Sequence, residues 1–221
     1  YRDIARGPED EKKQWGLDII PTACGFAAGF DRANTILRSI NEAVERWVMS
    51  KWIDDHYYIE ELDPQSVKEK LDPMSQYFVE QVDEVRFFKK DVAVPVGSGF
   101  IKVEVGQTMA LLGDGIFPGS SAQYTDGSLW QHSLLESYRH LLAVRNNPRT
   151  EKFPGNKVRY FAENAKVALK QIEAAQRADW PLPTICLHRC QSYLDGQYFV
   201  ARTIIGGWRS WHEGPIERFL Y

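Results

Sequence analysis

Disulfides, membrane spans and one-sided charge are all missing from this sequence. Three cysteines, Cys24, Cys186 and Cys190, are too few, odd in number and too widely spaced for a disulfide framework, and they suit a reducing, cytoplasmic setting. No stretch approaches the ~20 apolar residues that a membrane-spanning helix needs, and no apolar run follows a basic start as in a signal peptide. Lys+Arg total 27 against 30 Asp+Glu, so the net charge of -3 gives no footprint for non-specific nucleic-acid binding. What is present is ordinary globular material. With 43% hydrophobic and 26% charged residues, the 221-residue chain can build one good core. No linker interrupts it, so we expect a single domain over 1–221 with an exposed, polar lead-in at 1–16.

Residues 19–30 read as a strand running into a glycine-permitted turn, ending Gly25-Phe26-Ala27-Ala28-Gly29-Phe30. Asp31 is a candidate N-cap for a long helix at 32–53, in which Ile36, Ile40, Ala43, Val44 and Trp47 recur at 3–4-residue spacing. Arg38, Glu42, Glu45 and Arg46 fall on the opposite stripe. A short helix is expected at 64–71, then strands at 84–89, 92–97, 100–105 and 108–113. The Gly97-Ser98-Gly99 and Gly113-Asp114-Gly115 segments read as hairpin turns, and Pro118-Gly119-Ser120-Ser121 reads as a loop. Further helices are expected at 127–145 and 157–178. A hairpin should follow, with strands at 184–193 and 197–205 around a type I′ turn centred on Asp195-Gly196. Strands alternating irregularly with helices predict a mixed α/β (α+β) fold, three long helices packed on a mixed or antiparallel sheet.

An offset of 94 residues lays Gly25–Trp47 over Gly119–Leu141. Gly25 meets Gly119, Ala28 meets Ala122, Ser39 meets Ser133 and Glu42 meets Glu136. Both windows are a small-residue loop followed by a helix with a glutamate at the same phase, which suggests two weakly repeated strand–loop–helix units near 19–54 and 108–146. Arg38, Glu42, Glu45 and Arg46 then correspond to His132, Glu136, Arg139 and His140.

Glu42 and Glu45, three apart on a helix, can share one hard cation, and Arg46, four residues beyond Glu42, can hold an anion or orient a carboxylate. Nucleotide with Mg²⁺ calls for this mixture, while an exposed Glu–Arg surface pair explains it more simply. The segment Gly25-Phe26-Ala27-Ala28-Gly29, followed by Ala33 to Arg46 and ending Glu42-Ala43-Val44-Glu45-Arg46, resembles the YcaO family, and the second window resembles that family's second helix. YcaO proteins bind ATP with Mg²⁺ on glutamate-bearing helices and phosphorylate a peptide backbone amide. The resemblance implies a YcaO-like domain, ATP and Mg as cofactors, and a peptide or protein substrate or a larger partner subunit, with homo-oligomers allowed. It also implies metal roles for Glu42, Glu45 and Glu136 and nucleotide contacts from Arg38, Glu42, Glu45, Arg46, Glu136 and Arg139.

Two departures stand out: Arg139 replaces an expected glutamine-like group, and His140 replaces a frequent arginine. If both helices face one cleft, Arg139 would pair with Glu42 or Glu45 and stand in for a cation. That gives a second reading, a non-catalytic scaffold or binding subunit with a decayed nucleotide site. Elsewhere, Cys186 and Cys190 lie about 13 Å apart along a strand at ~3.3 Å per residue, too far to share a zinc with His188. Asp54 and His56 read as a polar helix end. Gly206–His212, rich in tryptophan, reads as a docking segment or, more sharply, a peptide groove with Arg209 on its rim.

Overall fold

Asp31 starts the helix around which the other elements are arranged. Its carboxylate accepts the backbone N–H of Asn34 at 2.6 Å, capping helix α1, Arg32–Ile53. In this computed structural model, which describes residues 24–123, 129–146, 157–174 and 177–207, α1 lies between two sheets. One is three-stranded, order β1-β7-β6: β1 Phe26–Gly29, β6 Ile185–Tyr193 and β7 Tyr198–Ile205. The other is four-stranded, order β2-β3-β4-β5: β2 Glu60–Leu62, β3 Glu84–Val96, β4 Gly99–Leu112 and β5 Gly115–Gln123. Every strand pairing is antiparallel. The remaining helices are α2 Pro64–Lys68, α3 Pro73–Glu80, α4 Leu129–Asn146, α5 Lys157–Glu163 and α6 Ala165–Glu173.

The pleat of the larger sheet divides the core. Phe88, Val103, Val105, Met109 and Ile116 pack with Trp47, Val48 and Trp52 of α1, whereas Phe87, Ala110 and Phe117 pack with Leu134 and Leu141 of α4. The layers are therefore α4, four-stranded sheet, α1, three-stranded sheet.

Several boundaries differ from expectation for identifiable reasons. The four strands expected over 84–113 are two long ones, paired in continuous register from Glu84↔Leu111 to Val96↔Gly99. Gly106 is a packing glycine: a Cβ there would lie 2.9 Å from Leu129 and Trp130 of α4. Polar residues continue through the ladder because Lys102 pairs with Asp91 at 2.7 Å and Lys89 with Glu104 at 3.1 Å. Pro118-Gly119-Ser120-Ser121 is strand, since β5 is an edge where the missing proline N–H costs no ladder bond. Helix 64–71 ends at Lys68, and Asp72, followed by Pro73 in the first turn, caps a further helix, α3. The helix expected at 157–178 is split at Asn164 into α5 and α6. The β6–β7 turn carries positive φ at Leu194 and Asp195, one residue earlier than expected, with Gly196 following at +84°. Residues 1–23 and 208–221 lie outside the described residues, and with them the lead-in, the first part (19–23) of the 19–30 strand and the tryptophan-rich segment beyond Gly207.

Residues 94 apart make matching contacts. Gly25 carbonyl accepts from the Thr203 N–H, and Ser39 Oγ meets Thr203 Oγ1 at 2.8 Å. Gly119 stands opposite Thr108, and Ser133 Oγ meets Thr108 Oγ1 at 2.9 Å. A Cβ would fall 1.9 Å from the Thr203 carbonyl oxygen at Gly25 and 2.0 Å from that of Ser133 at Gly119. In each unit a helix packs over a glycine, tightly through Ser133 and Ser137 at Gly119 and more loosely through Ala43 at Gly25, where the strand carbonyl of Thr203 is the close contact, and fastens to the threonine of the neighbouring strand.

Candidate functional site

The cleft face of α1 presents Asn34, Leu37, Arg38, Asn41, Glu42, Glu45 and Arg46, and that of α4 presents His132, Leu135, Glu136 and Arg139, both at 3–4-residue spacing. Between them, floored by Phe26 and Ala27 of β1 and Ser120–Gln123 of β5, is a cleft of about 720 Å³. The six residues named for nucleotide or metal contact, Arg38, Glu42, Glu45, Arg46, Glu136 and Arg139, therefore line one hollow. Half of the stripe read as facing away from the core does not face bulk water: Glu45 and Arg46 are only 6% and 8% exposed, while Arg38 is exposed and Glu42 half-buried.

Arg46 is the centre of the cluster. Its Nε reaches Glu42 Oε1 at 3.3 Å, and its Nη2 reaches Glu136 Oε1 at 2.9 Å and Glu45 Oε1 at 3.3 Å. Its Nη1 donates to Ser120 Oγ at 3.1 Å. The pairing expected of Arg139 is therefore made by Arg46; Arg139 is exposed on the cleft wall. The reason is reach. Arg46 shares a helix turn with Glu42 and reaches Ser120 of β5, whereas Arg139, one turn beyond Glu136, stays exposed.

Ser120 was missed by sequence reasoning because its stretch read as loop. Its N–H and Glu136 Oε2 are 2.6 Å apart, and its Oγ lies 2.9 Å from the same oxygen and 2.5 Å from Glu45 Oε1. One hydroxyl proton cannot serve both carboxylates while the oxygen accepts from Arg46, so a protonated Glu45 completes the set. Burial pushes Glu45 up to about 8, against the pull of Arg46 and with the push of Glu42 and Glu136. Burial also works against a charged Glu136, but Arg46, His140 and the Ser120 N–H outweigh it and hold that carboxyl below its ordinary value. Arg46 stays charged: burial opposes the charge and the three carboxylates more than offset it. His140 donates from Nδ1 to the Pro118 carbonyl, and burial lowers its pKa.

Asn41 Oδ1 is buried in the cleft wall without a hydrogen-bond partner. Gln107, opposite Ser120 in the ladder and wholly buried, has no partner for either amide atom. The oxygen-rich donor set is chemically right for Mg²⁺, but the arrangement is not, because Arg46 sits where the carboxylates meet. Among the described residues, no three acidic, histidine or cysteine side chains are disposed to hold a metal ion together. Cys186, His188 and Cys190 lie along β6, where His188 Nδ1 meets Thr203 Oγ1 at 3.0 Å. Asp54, read as a solvent-facing end, is 5% exposed, and its backbone N–H closes α1 on Ser50.

The sequence matches no family model and no curated protein. Solved structures do match. One is a heterocyclase in complex with substrate and cofactor (TM-score 0.55, 15% identity, 88% of this chain and 30% of that one). Another is the heterocyclase TruD (0.53, 18%, 86% and 29%). A third is YcaO from Methanopyrus kandleri bound with AMPPCP and Mg²⁺ (0.52, 14%, 87% and 56%). The fold is YcaO-like. The chain spans less than a third of the two heterocyclases and just over half of the M. kandleri YcaO. No helix among the described residues is long and apolar enough to cross a membrane.

Proposed function

We propose that the cleft between α1 and α4 is the nucleotide-phosphate site of a YcaO-like domain that acts on, or alongside, a peptide. The observation that carries this is the meeting of Glu42, Glu45 and Glu136, from two helices with matching contacts, in a single cleft whose walls also carry Arg38, Arg139 and His132. On this reading Arg38 and Arg139 on the walls take the phosphates of ATP, and Asn41 Oδ1, without a partner among the described residues, offers an acceptor to a ligand N–H. If a phosphoryl group moves here, these residues act by spreading its charge, and no protein nucleophile is required. The solved structures that resemble the chain include one with substrate and cofactor and one with AMPPCP and Mg²⁺, in keeping with this reading.

The second reading, a non-catalytic binding subunit that serves a larger partner, is favoured by one observation: the carboxylates are already satisfied by Arg46. Calorimetric titration with ATP tests the site. Saturable binding, weakened at least tenfold in Arg38→Met combined with Arg139→Met, is expected; heat unchanged by that double substitution would remove the site from the cleft. ADP release in the presence of a cysteine-bearing peptide, measured on the same preparation, separates the two readings.

A further inference from the structure

We infer that Arg46 is the resident cation of this cleft: it holds the position at which a divalent ion would bridge Glu42, Glu45 and Glu136, so the chain excludes Mg²⁺ and binds a phosphate-bearing anion metal-free. The anion's identity rests on the nucleotide reading above; the exclusion of metal does not.

All three guanidinium nitrogens are engaged, Nε on Glu42, Nη2 between Glu45 and Glu136, and Nη1 on Ser120. The planar, permanently charged fork links carboxylates from two separate helices, the task a hard cation performs with oxygen ligands elsewhere. A magnesium ion demands near-octahedral oxygen coordination at ~2.0–2.1 Å and cannot share that point with a guanidinium. Charge argues the same way. The lining carries three arginines (Arg38, Arg46, Arg139) and three glutamates (Glu42, Glu45, Glu136). No excess of negative charge draws in a dication, whereas an anion arriving without metal meets Arg38, Arg139 and His132 on the walls.

The full chain is titrated with MnCl₂ alone, reading free Mn²⁺ by its paramagnetic signal, and its thermal unfolding is recorded with sodium ATP in EDTA and with Mg-ATP. We expect no saturable Mn²⁺ binding below millimolar concentration, and at least as large a rise in Tm with ATP in EDTA as with Mg-ATP. Arg46→Met should have a lower Tm, bind Mn²⁺ at least tenfold more tightly than the native chain, and recover part of its Tm with the metal. Adding Glu136→Gln should abolish that recovery. If Arg46→Met does not fold, Arg46→Lys, which keeps the charge without the fork, should still exclude Mn²⁺. Saturable Mn²⁺ binding by the native chain that Glu42→Gln removes, or stabilisation by ATP only when Mg²⁺ is present, overturns the inference. Mn²⁺ exclusion with no response to ATP in either form overturns the nucleotide reading and supports the metal exclusion.

Discussion

In the α1 unit the helix position four residues after its first cleft glutamate carries Arg46, which reaches inward and gathers three carboxylates. In the α4 unit the matching position carries His140, which turns to the strand edge and donates to the Pro118 carbonyl. The frame around the two is alike: glycine under helix, serine on the neighbouring strand's threonine, glutamate toward the cleft. The difference teaches that contacts holding each helix to its sheet are separate from those that set the charge of the hollow. One unit supplies both cation and anions; the other supplies an anchoring carboxylate and a strand clasp.

The largest effect should come from breaking that asymmetry at its strong end. Arg46→Met strands the Glu42 and Glu136 carboxylates beside a protonated Glu45 in a low-dielectric cluster, and removing one partner of a buried ion pair costs about 3–5 kcal/mol. His140→Ala loses one hydrogen bond to a carbonyl and should cost about 1 kcal/mol. Urea unfolding of both variants near pH 7 reads the ratio; equal losses would mean that the two positions do the same work.

The shared frame is tested next. Gly25→Ala and Gly119→Ala each drive a methyl group into a backbone oxygen, and Gly25 also has φ of +71°. Each should lose about 3 kcal/mol, by overpacking and, at Gly25, backbone strain as well. Gly97→Ala, with φ of +60° and open space around it, is the control and should lose about 1 kcal/mol. A mild Gly119 variant beside a severe Gly25 variant would show that only one helix needs its glycine.

How far these units can be read from residues alone depends on the kind of contact. Helix α1 was legible end to end because its cap, apolar period and length all agree. The α4 helix was legible from its apolar period and length. Glu42, Glu45, Glu136, Arg38, Arg46 and Arg139 could be nominated because the family resemblance singled them out, and helical spacing is consistent with it in putting them on single faces. Strand β5 was not legible: Pro118 and Gly119 carry turn chemistry locally, and only the edge position and the close approach of α4 make them strand. For the same reason Ser120 escaped notice. Which arginine enters the cluster depends on where two helices cross, and no single-helix pattern contains that.

Protonation gives a third, smaller effect that separates Glu45 from its neighbour Glu136. Glu45 keeps its proton to about 8 when folded, against an ordinary 4.5, so between those values the folded chain holds a proton that the unfolded chain has released. Its contribution to stability therefore falls as pH rises through that window. Glu136 is shifted the other way, so its contribution is present above the ordinary carboxylate range and is lost as pH falls through the lowered folded value. Glu45→Gln should flatten the alkaline side and exceed the native chain by on the order of 2 kcal/mol near pH 8. Parallel stability curves from pH 5 to 8 would count against a proton on Glu45.

The smallest effects fall on the two serines that fasten the helices. Ser39 meets Thr203 at 2.8 Å, and Ser133 meets both Thr108 at 2.9 Å and the Gly119 carbonyl at 3.1 Å. Each is wholly buried and makes two hydrogen bonds, Ser39 also reaching the Ile36 carbonyl at 2.8 Å, so replacing either with alanine should cost about 1–2 kcal/mol and leaves a hydroxyl partner to be re-satisfied. In the α4 unit Ser137 already holds Thr108 Oγ1 at 2.7 Å, whereas in the α1 unit the matching residue is Ala43 and Thr203 keeps the longer 3.0 Å bond to His188. Ser39→Ala should therefore cost more than Ser133→Ala, by about 0.5–1 kcal/mol. Chemical denaturation resolves that margin; the reverse order would mean that His188, which also reaches Thr203 Oγ1 at 3.0 Å, takes over when Ser39 is gone.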